Sequence, residues 1–326
     1  MKSDGAKLRT RAILIFSAAA GVAVFLAGCA GIQTQREKQA RRDIHAAESI
    51  YRPEHARPEL PALTETSMLP DLMRYALLNN PRAESAFYEW QGAVEEITTA
   101  RSLPDPMLNF NLELIDGAVE ALTPMLMTDP MSNWQVPSKL ALRAEAQSAK
   151  ALQMRAAFEN ELLSTALSVK RAYYQLWVVD RQRYWTRQIV KVVDDIESIA
   201  RERLAVGNVT QQDVLRAQIE RDQLENELRN LEDSRTPIVA RLKSALGMGP
   251  QETLPDFAVL LEPTPADFTE QSLLEIAFER NPRLKRARAE VAQAMSLYHL
   301  AQKANVPDYS FGLGANVEAS PVPFMP

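Results

Sequence analysis

The sequence predicts a mainly α-helical protein with membrane β-strands, in which long antiparallel coiled-coil helices carry two stretches of strand. Three observations predict it. Neither glycine nor proline occurs between Ser138 and Val206, so nothing breaks a helical ladder there, and a helix of that span is about 100 Å long at 1.5 Å per residue. So long a helix needs a continuous partner, and a second helix follows within a few residues. The residues after Pro106 and after Pro307 then alternate apolar with polar, the period of a strand with two unlike faces.

At the start of the chain, Lys2, Lys7, Arg9 and Arg11 precede an apolar run from Ala12 to Ala27, a charged region followed by a hydrophobic one too short for a permanent spanning helix. The run ends Leu26, Ala27, Gly28, Cys29, which resembles the lipobox of bacterial lipoproteins. The resemblance implies a signal peptide over residues 1–28, cleavage before Cys29, and acyl chains, palmitate among them, on its thiol and new amino terminus. Such chains anchor a protein stably without a spanning helix. Ala30, in place of an aspartate, implies by the same resemblance export to the outer membrane. Cys29 is the one cysteine of the chain, which excludes an internal disulfide framework and a multi-cysteine metal site. Residues 29–68 are polar, with Pro53, Pro58 and Pro61, and read as a leader that lies along the body rather than a domain.

An internal repeat follows. At an offset of 201 residues Leu72, Ala76, Asn80, Pro81 and Arg82 meet Leu273, Ala277, Asn281, Pro282 and Arg283, and twelve of the 41 positions from 72 to 112 are identical without a gap. This favours duplication, with a first repeat over 69–268 and an incomplete second over 269–326. Each copy reads as a short helix ending before the proline, a helix of about six turns, and a proline that starts an extended segment.

The extended segments alternate. Leu108, Phe110, Leu112 and Leu114 interleave with Asn109, Asn111 and Glu113; Tyr309, Phe311, Leu313, Ala315 and Val317 interleave with polar residues and glycines. That is the pattern of a barrel strand with lipid outside and water inside, and equally of a half-buried strand in a soluble sheet. A strand hairpin is expected over about 106–137, with a loop between Ile115 and Asn133. Its short second strand carries Trp134 and Val136 and ends at Pro137. Met125, Met127 and Met131 in that loop have soft thioether groups able to bind a cuprous ion; the simpler reading is flexible apolar residues on a loop near the membrane.

The long helix is expected over 138–206. Its apolar positions Leu162, Ala166, Val169, Tyr173 and Leu176 step by fours and threes, and after a shift of phase Trp185, Ile189, Val192, Ile196 and Ile199 do the same. These read as coiled-coil seams with a local change of supercoil. Gly207, Asn208, Val209 and Thr210 form a tight turn: Gly207 suits the left-handed residue after a helix end, and Thr210 with Asp213 has the form of a capping box. The next helix, 211–246, keeps a heptad register from Val214 to Ala245, interrupted by Arg221 and Arg235, and stops at Gly247, Gly249 and Pro250.

Function classes narrow by composition. A net charge of −5 over 326 residues gives no reason to expect nucleic acid. No Ser/His/Asp motif, zinc spacing or phosphate loop is present and His299 stands alone, so neither enzyme activity, cofactor nor metal site is expected. The acidic run Asp194, Asp195 and Glu197 reads as a solvated helix face.

The order of elements, the Asn80-Pro81 and Asn281-Pro282 starts, the run from Trp134 through Lys139 to Leu140 and the stretch from Gly207 to Gln218 together resemble the outer-membrane efflux protein (TolC) family. The run at Trp134 is most similar to its metal-efflux branch, with Ser138 where a glycine commonly precedes the lysine. The resemblance implies a homotrimer that pools its strands into an outer-membrane β-barrel, with Leu108, Phe110, Leu112, Leu114, Trp134, Phe311 and Leu313 facing lipid. It implies that the helices form a periplasmic tunnel. The tip Gly207, Asn208, Val209 and Thr210, with Asp213, would dock on a periplasmic adaptor bound to an inner-membrane pump. The function implied is a passive export conduit for small molecules or metal ions, lipid-anchored at the outer membrane. After Val317 the chain runs out at Pro326, before the returning strand and second long hairpin of such a subunit, and so reads as a fragment or truncated product. The competing reading from another class is a lipid-anchored periplasmic coiled-coil scaffold or adaptor, which leaves the phased strands unexplained.

Overall fold

The computed structural model describes residues 31–115, 118–128, 135–256, 268–310, 312–314 and 317–318; Cys29, Met131, Trp134 and Phe311 lie outside them. Helix α1 (Gln35–Tyr51) opens the chain, followed by α2 (Leu69–Asn79), α3 (Pro81–Arg101), β1 (Pro106–Ile115), β2 (Ala118–Thr128), α4 (Pro137–Ala205), α5 (Gln211–Leu246), α6 (Glu270–Arg280), α7 (Pro282–Gln302), β3 (Gly312–Gly314) and β4 (Val317–Glu318). The bounds of α6 and α7 repeat those of α2 and α3 at the 201-residue offset. Both breaks have one cause. Proline disfavours helical geometry in the residue before it, and Asn80 (ψ 121°) and Asn281 (ψ 116°) are extended. No described helix is long and apolar enough to cross a membrane.

The chain divides into two compact units. The first comprises Met1–Ala46, Glu89–Ala156 and Arg283–Pro326. It holds the sheet, in which β2 is central: β1 pairs with it antiparallel from Pro106↔Thr128 to Ile115↔Ala118, β3 pairs at Met125–Met127 and β4 at Ala121–Leu122. Strand β2 corrects the loop expected between Ile115 and Asn133, and it places Met125 and Met127 on a strand. The short strand expected at Trp134 to Val136 is also corrected, because Gln135 and Val136 are not in a strand and α4 begins at Pro137. Two features hide β2 in the sequence. The register shift between Glu113 and Leu114 leaves Glu120 without a β1 partner, breaking the dyad period. Pro124, opposite Phe110 in the pairing with β1, is the residue type least expected inside a central strand.

The leader contributes α1 to this unit. Thr34 Oγ1 accepts from the Glu37 N–H at 3.2 Å, starting the helix. Its inner face carries Ala40 and Ile44, each 4% exposed, beside a fully buried Glu37. Glu37 accepts from Arg41 at 3.0 Å and from Arg101 at 3.2 Å; Arg101 also donates to the Gly31 carbonyl, and Arg41 to Glu95 and Thr98. A buried carboxylate persists only with such charged partners. Gly31 (φ +66°) is required here, because a Cβ on it would lie 2.4 Å from the Arg101 carbonyl oxygen.

The second unit comprises Ala47–Tyr88 and Ala157–Pro282. Leu72 and Ala76 of α2, Val169, Ala172, Tyr173 and Leu176 of α4, and Leu242 and Leu246 of α5 form its core. Tyr51, Phe87 and Phe158 pack ring against ring at centroid distances of 5.2 to 5.6 Å. Helix α5 ends at Gly247 (φ +73°), where a Cβ would sit 2.8 Å from the Asn79 carbonyl oxygen, so only glycine admits this approach. Pro237 stays inside α5 on an exposed face, where water can satisfy the carbonyl it orphans.

The α4–α5 seam differs from the expected one. Leu162, Ala166, Val169, Tyr173 and Leu176 are buried or half-buried, as expected, but Trp185, Ile189, Val192, Ile196 and Ile199 are 48 to 57% exposed. The seam instead continues without a phase shift through Arg183, Thr186, Val190, Val193, Glu197, Ala200 and Leu204, all buried or half-buried. Two apolar stripes run along one helix, and the ion pairs described next select the less apolar one for α5.

Candidate functional site

Gly207, Asn208, Val209 and Thr210 join α4 to α5. The Gly207 N–H donates to the Leu204 carbonyl at 3.0 Å and the Asn208 N–H to the Arg203 carbonyl at 2.9 Å, a Schellman closure that needs the left-handed Gly207 (φ +80°). A Cβ at Gly207 would meet nothing within 4 Å, so the backbone, and not packing, demands glycine. Across the turn the Asp213 carboxylate accepts from the Thr210 N–H at 3.0 Å and from its hydroxyl at 2.7 Å. These bonds hold its carboxyl below the usual aspartate range. Val206 at the apex is 69% exposed. The tip is thus a closed turn with Val206 exposed at its apex and Thr210 bonded to Asp213. No cluster able to hold a metal ion occurs among the described residues.

Two polar layers support the tip. In the first, Glu197 is 2% exposed and accepts from Arg221 at 2.6 Å, from Gln218 at 3.0 Å, and from Arg201 one turn along α4. This corrects the solvated-face reading of Glu197, and it explains Arg221, which interrupts the apolar seam because a carboxylate opposes it. The Gln218 hydrogen bond, with the charges of Arg201 and Arg221, keeps the Glu197 carboxyl below the usual glutamate range. In the second layer Arg235 donates to Asp180 at 2.9 Å and to Asp256 at 2.7 Å, while Arg183 meets Asp180 and Glu232. Sequence reasoning missed both. The signal in the sequence is the unbroken spacing 183, 186, 190, 193, 197, 200, 204, which continues the seam of Val169, Tyr173 and Leu176 but is less apolar than the stripe through Trp185.

The strand residues are a second group. Leu108, Phe110, Leu112 and Leu114 all lie on β1 and Leu313 on β3; Phe110 is 64% exposed, as are Met107 and Met125 to about 40%. Phe110 and, on the opposite face of the sheet, Met107 and Met125 are thus exposed apolar side chains. Lys139, from the run shared with the family, is buried and reaches Val306 and Asp308.

The comparisons agree with this architecture. The profile of the outer membrane efflux protein family matches residues 72–248, more than half the chain. VceC, an outer membrane protein of Vibrio cholerae, superposes with a TM-score of 0.59 at 17% identity over 79% of this chain and 69% of its own. CusC, described for its transmembrane channel formation, gives 0.63 at 16% identity over 79% and 62%. The MtrE outer membrane channel of Neisseria gonorrhoeae gives 0.56 at 14% over 82% and 68%. Comparison with curated protein sequences returned no match. With the family profile covering α2 to the end of α5, more than half of its residues, this chain belongs to the outer membrane efflux protein family.

Proposed function

We propose that the protein is a channel subunit of a tripartite efflux system, a passive conduit that carries small molecules or metal ions across the outer membrane as a homotrimer. The observation that carries this reading is the uncovered second seam of α4. Trp185, Ile189, Val192, Ile196 and Ile199 keep heptad spacing yet are about half exposed, and an apolar heptad stripe on a long helix is stable in water only against another helix. The second repeat argues likewise. On α3, Trp90, Val94 and Ile97 are at most 3% exposed, whereas Val291, Met295 and Tyr298, their counterparts on α7, are at least 60% exposed. Helices that need neighbours on both sides suit the wall of a tunnel. A sheet that leaves Phe110 mostly exposed suits a strand in lipid, and a lipid-anchored scaffold gives no account of it.

In this reading Phe110, with Leu108, Leu112, Leu114, Trp134, Phe311 and Leu313, faces lipid; Cys29 carries the acyl anchor; and the tip Gly207 to Thr210, capped by Asp213, meets a periplasmic adaptor coupled to an inner-membrane pump. The test is migration in mild detergent. Protein taken from the outer membrane of its own host should migrate as a heat-resistant trimer, and Ile196→Asp should reduce it to monomer. A helical monomer from the parent chain would refute the channel reading.

A further inference from the structure

The lysine of the Trp134 to Leu140 run has no role in the reading so far, and its environment is unusual. Lys139 lies in the first turn of α4, where the helix dipole disfavours a cation, and its side chain is only 8% exposed. Burying an ammonium group at that end requires strong acceptors. They come from the second repeat: Lys139 Nζ donates to the Val306 carbonyl at 2.7 Å and to Asp308 Oδ1 at 2.8 Å. Val306 closes the short helical turn that ends α7, and its own N–H donates to the Lys303 carbonyl. Asp308 stands four residues before β3.

The contact is specific to one side of the duplication. At the 201-residue offset Asp308 corresponds to Met107, so the first repeat has no carboxylate in this place. Among the described residues β3 pairs with β2 at Met125–Met127, and Asp308 lies just ahead of that pairing, where a fixed point on the chain would set where the strand enters the sheet. We propose that Lys139 is a positioning residue that fastens the chain leading into β3 to the first turn of α4, and so holds β3 beside β2 where the second repeat joins the sheet. Its part in channel assembly rests on the barrel reading above; the fastening itself does not.

Amide hydrogen exchange on the full chain in detergent micelles tests it. In Lys139→Met, the amides of Gly312 and Gly314 should exchange about tenfold faster or more, the scale of losing charge-assisted hydrogen bonds, while the β1–β2 amides keep their protection. Lys139→Arg, which keeps the charge and donors for both the Val306 carbonyl and Asp308, should keep most of the parent's protection, which a role in mere space-filling would not require. Unchanged exchange at β3 in Lys139→Met, equal loosening of β1 and β2, or Lys139→Arg no better than Lys139→Met would each overturn the proposal. Outer-membrane assembly of the same variants is scored separately: failure of the parent chain to assemble refutes the barrel reading and leaves the fastening judged by exchange.

Discussion

Gly207 and Arg101 show how differently single residues are constrained. At Gly207 only the backbone matters: Gly207→Val places a β-branched side chain at φ +80°, where left-handed geometry costs about 1–2 kcal/mol for an L-residue. Gly207→Asn should cost less, because asparagine tolerates that region. Adaptor-dependent export in the host should fall for the valine variant and persist for asparagine; equal export from both would count against the tip. At Arg101 the constraint is charge. Arg101→Met leaves Glu37, fully buried, without its partner from α3, and removing one member of a buried pair costs about 3–5 kcal/mol. Urea unfolding should show that loss, and Glu37→Leu added to Arg101→Met should recover most of it.

Among the elements, the α4–α5 hairpin carries two carboxyl groups that make its stability depend on pH. Glu197 and Asp213 both have carboxyl groups held below their ordinary values of 4.5 and 3.8. A depressed carboxyl contributes stability that is fully present above the ordinary value and is lost as pH falls through the lower, folded-state value. Amide exchange of α5 near the tip should therefore be insensitive to pH-dependent unfolding from about pH 6 to 8 and rise below about pH 4. Glu197→Gln should flatten that rise in part. The sheet makes a different prediction, by face: Phe110→Arg should block membrane assembly, since an arginine facing lipid at the midplane costs on the order of 2–4 kcal/mol, and Asn109→Arg should not. Equal behaviour of the two would remove the lipid-facing assignment.

For the whole molecule, the uncovered stripes of α4 and α7 support the proposal that the folded chain packs against neighbouring helices. A trimer should accordingly unfold at a temperature that rises with protein concentration, whereas a self-sufficient monomer would show none of that dependence. Anchoring is tested on the same scale. The mature protein from the outer membrane should have the mass of a chain beginning at Cys29 plus acyl chains, and Cys29→Ser should abolish labelling by palmitate.

Helix ends were legible in the sequence because each is written locally: the proline after Asn80, the glycine at 207, the Thr210 and Asp213 pair. The repeat was legible too, since α6 and α7 reproduce the bounds of α2 and α3 at the offset read from identities. Which face of α4 meets α5 was not. Apolar spacing alone offered two stripes, and the more hydrophobic was the wrong one, because the choice is made by Arg221 opposite Glu197 and Arg235 opposite Asp180, residues 24 and 55 positions apart. Strand β2 was hidden for a related reason: its bulge and its proline break the local period, and only pairing with β1 on one side and β3 and β4 on the other makes it a strand. Lys139 completes the series, a lysine beside a helix start whose partners lie 167 and 169 residues away. The sequence by itself determined what local backbone chemistry determines, namely where elements begin, end and repeat. Tertiary structure decided which of two apolar faces is buried and which charges are paired, because those depend on residues far apart in the chain.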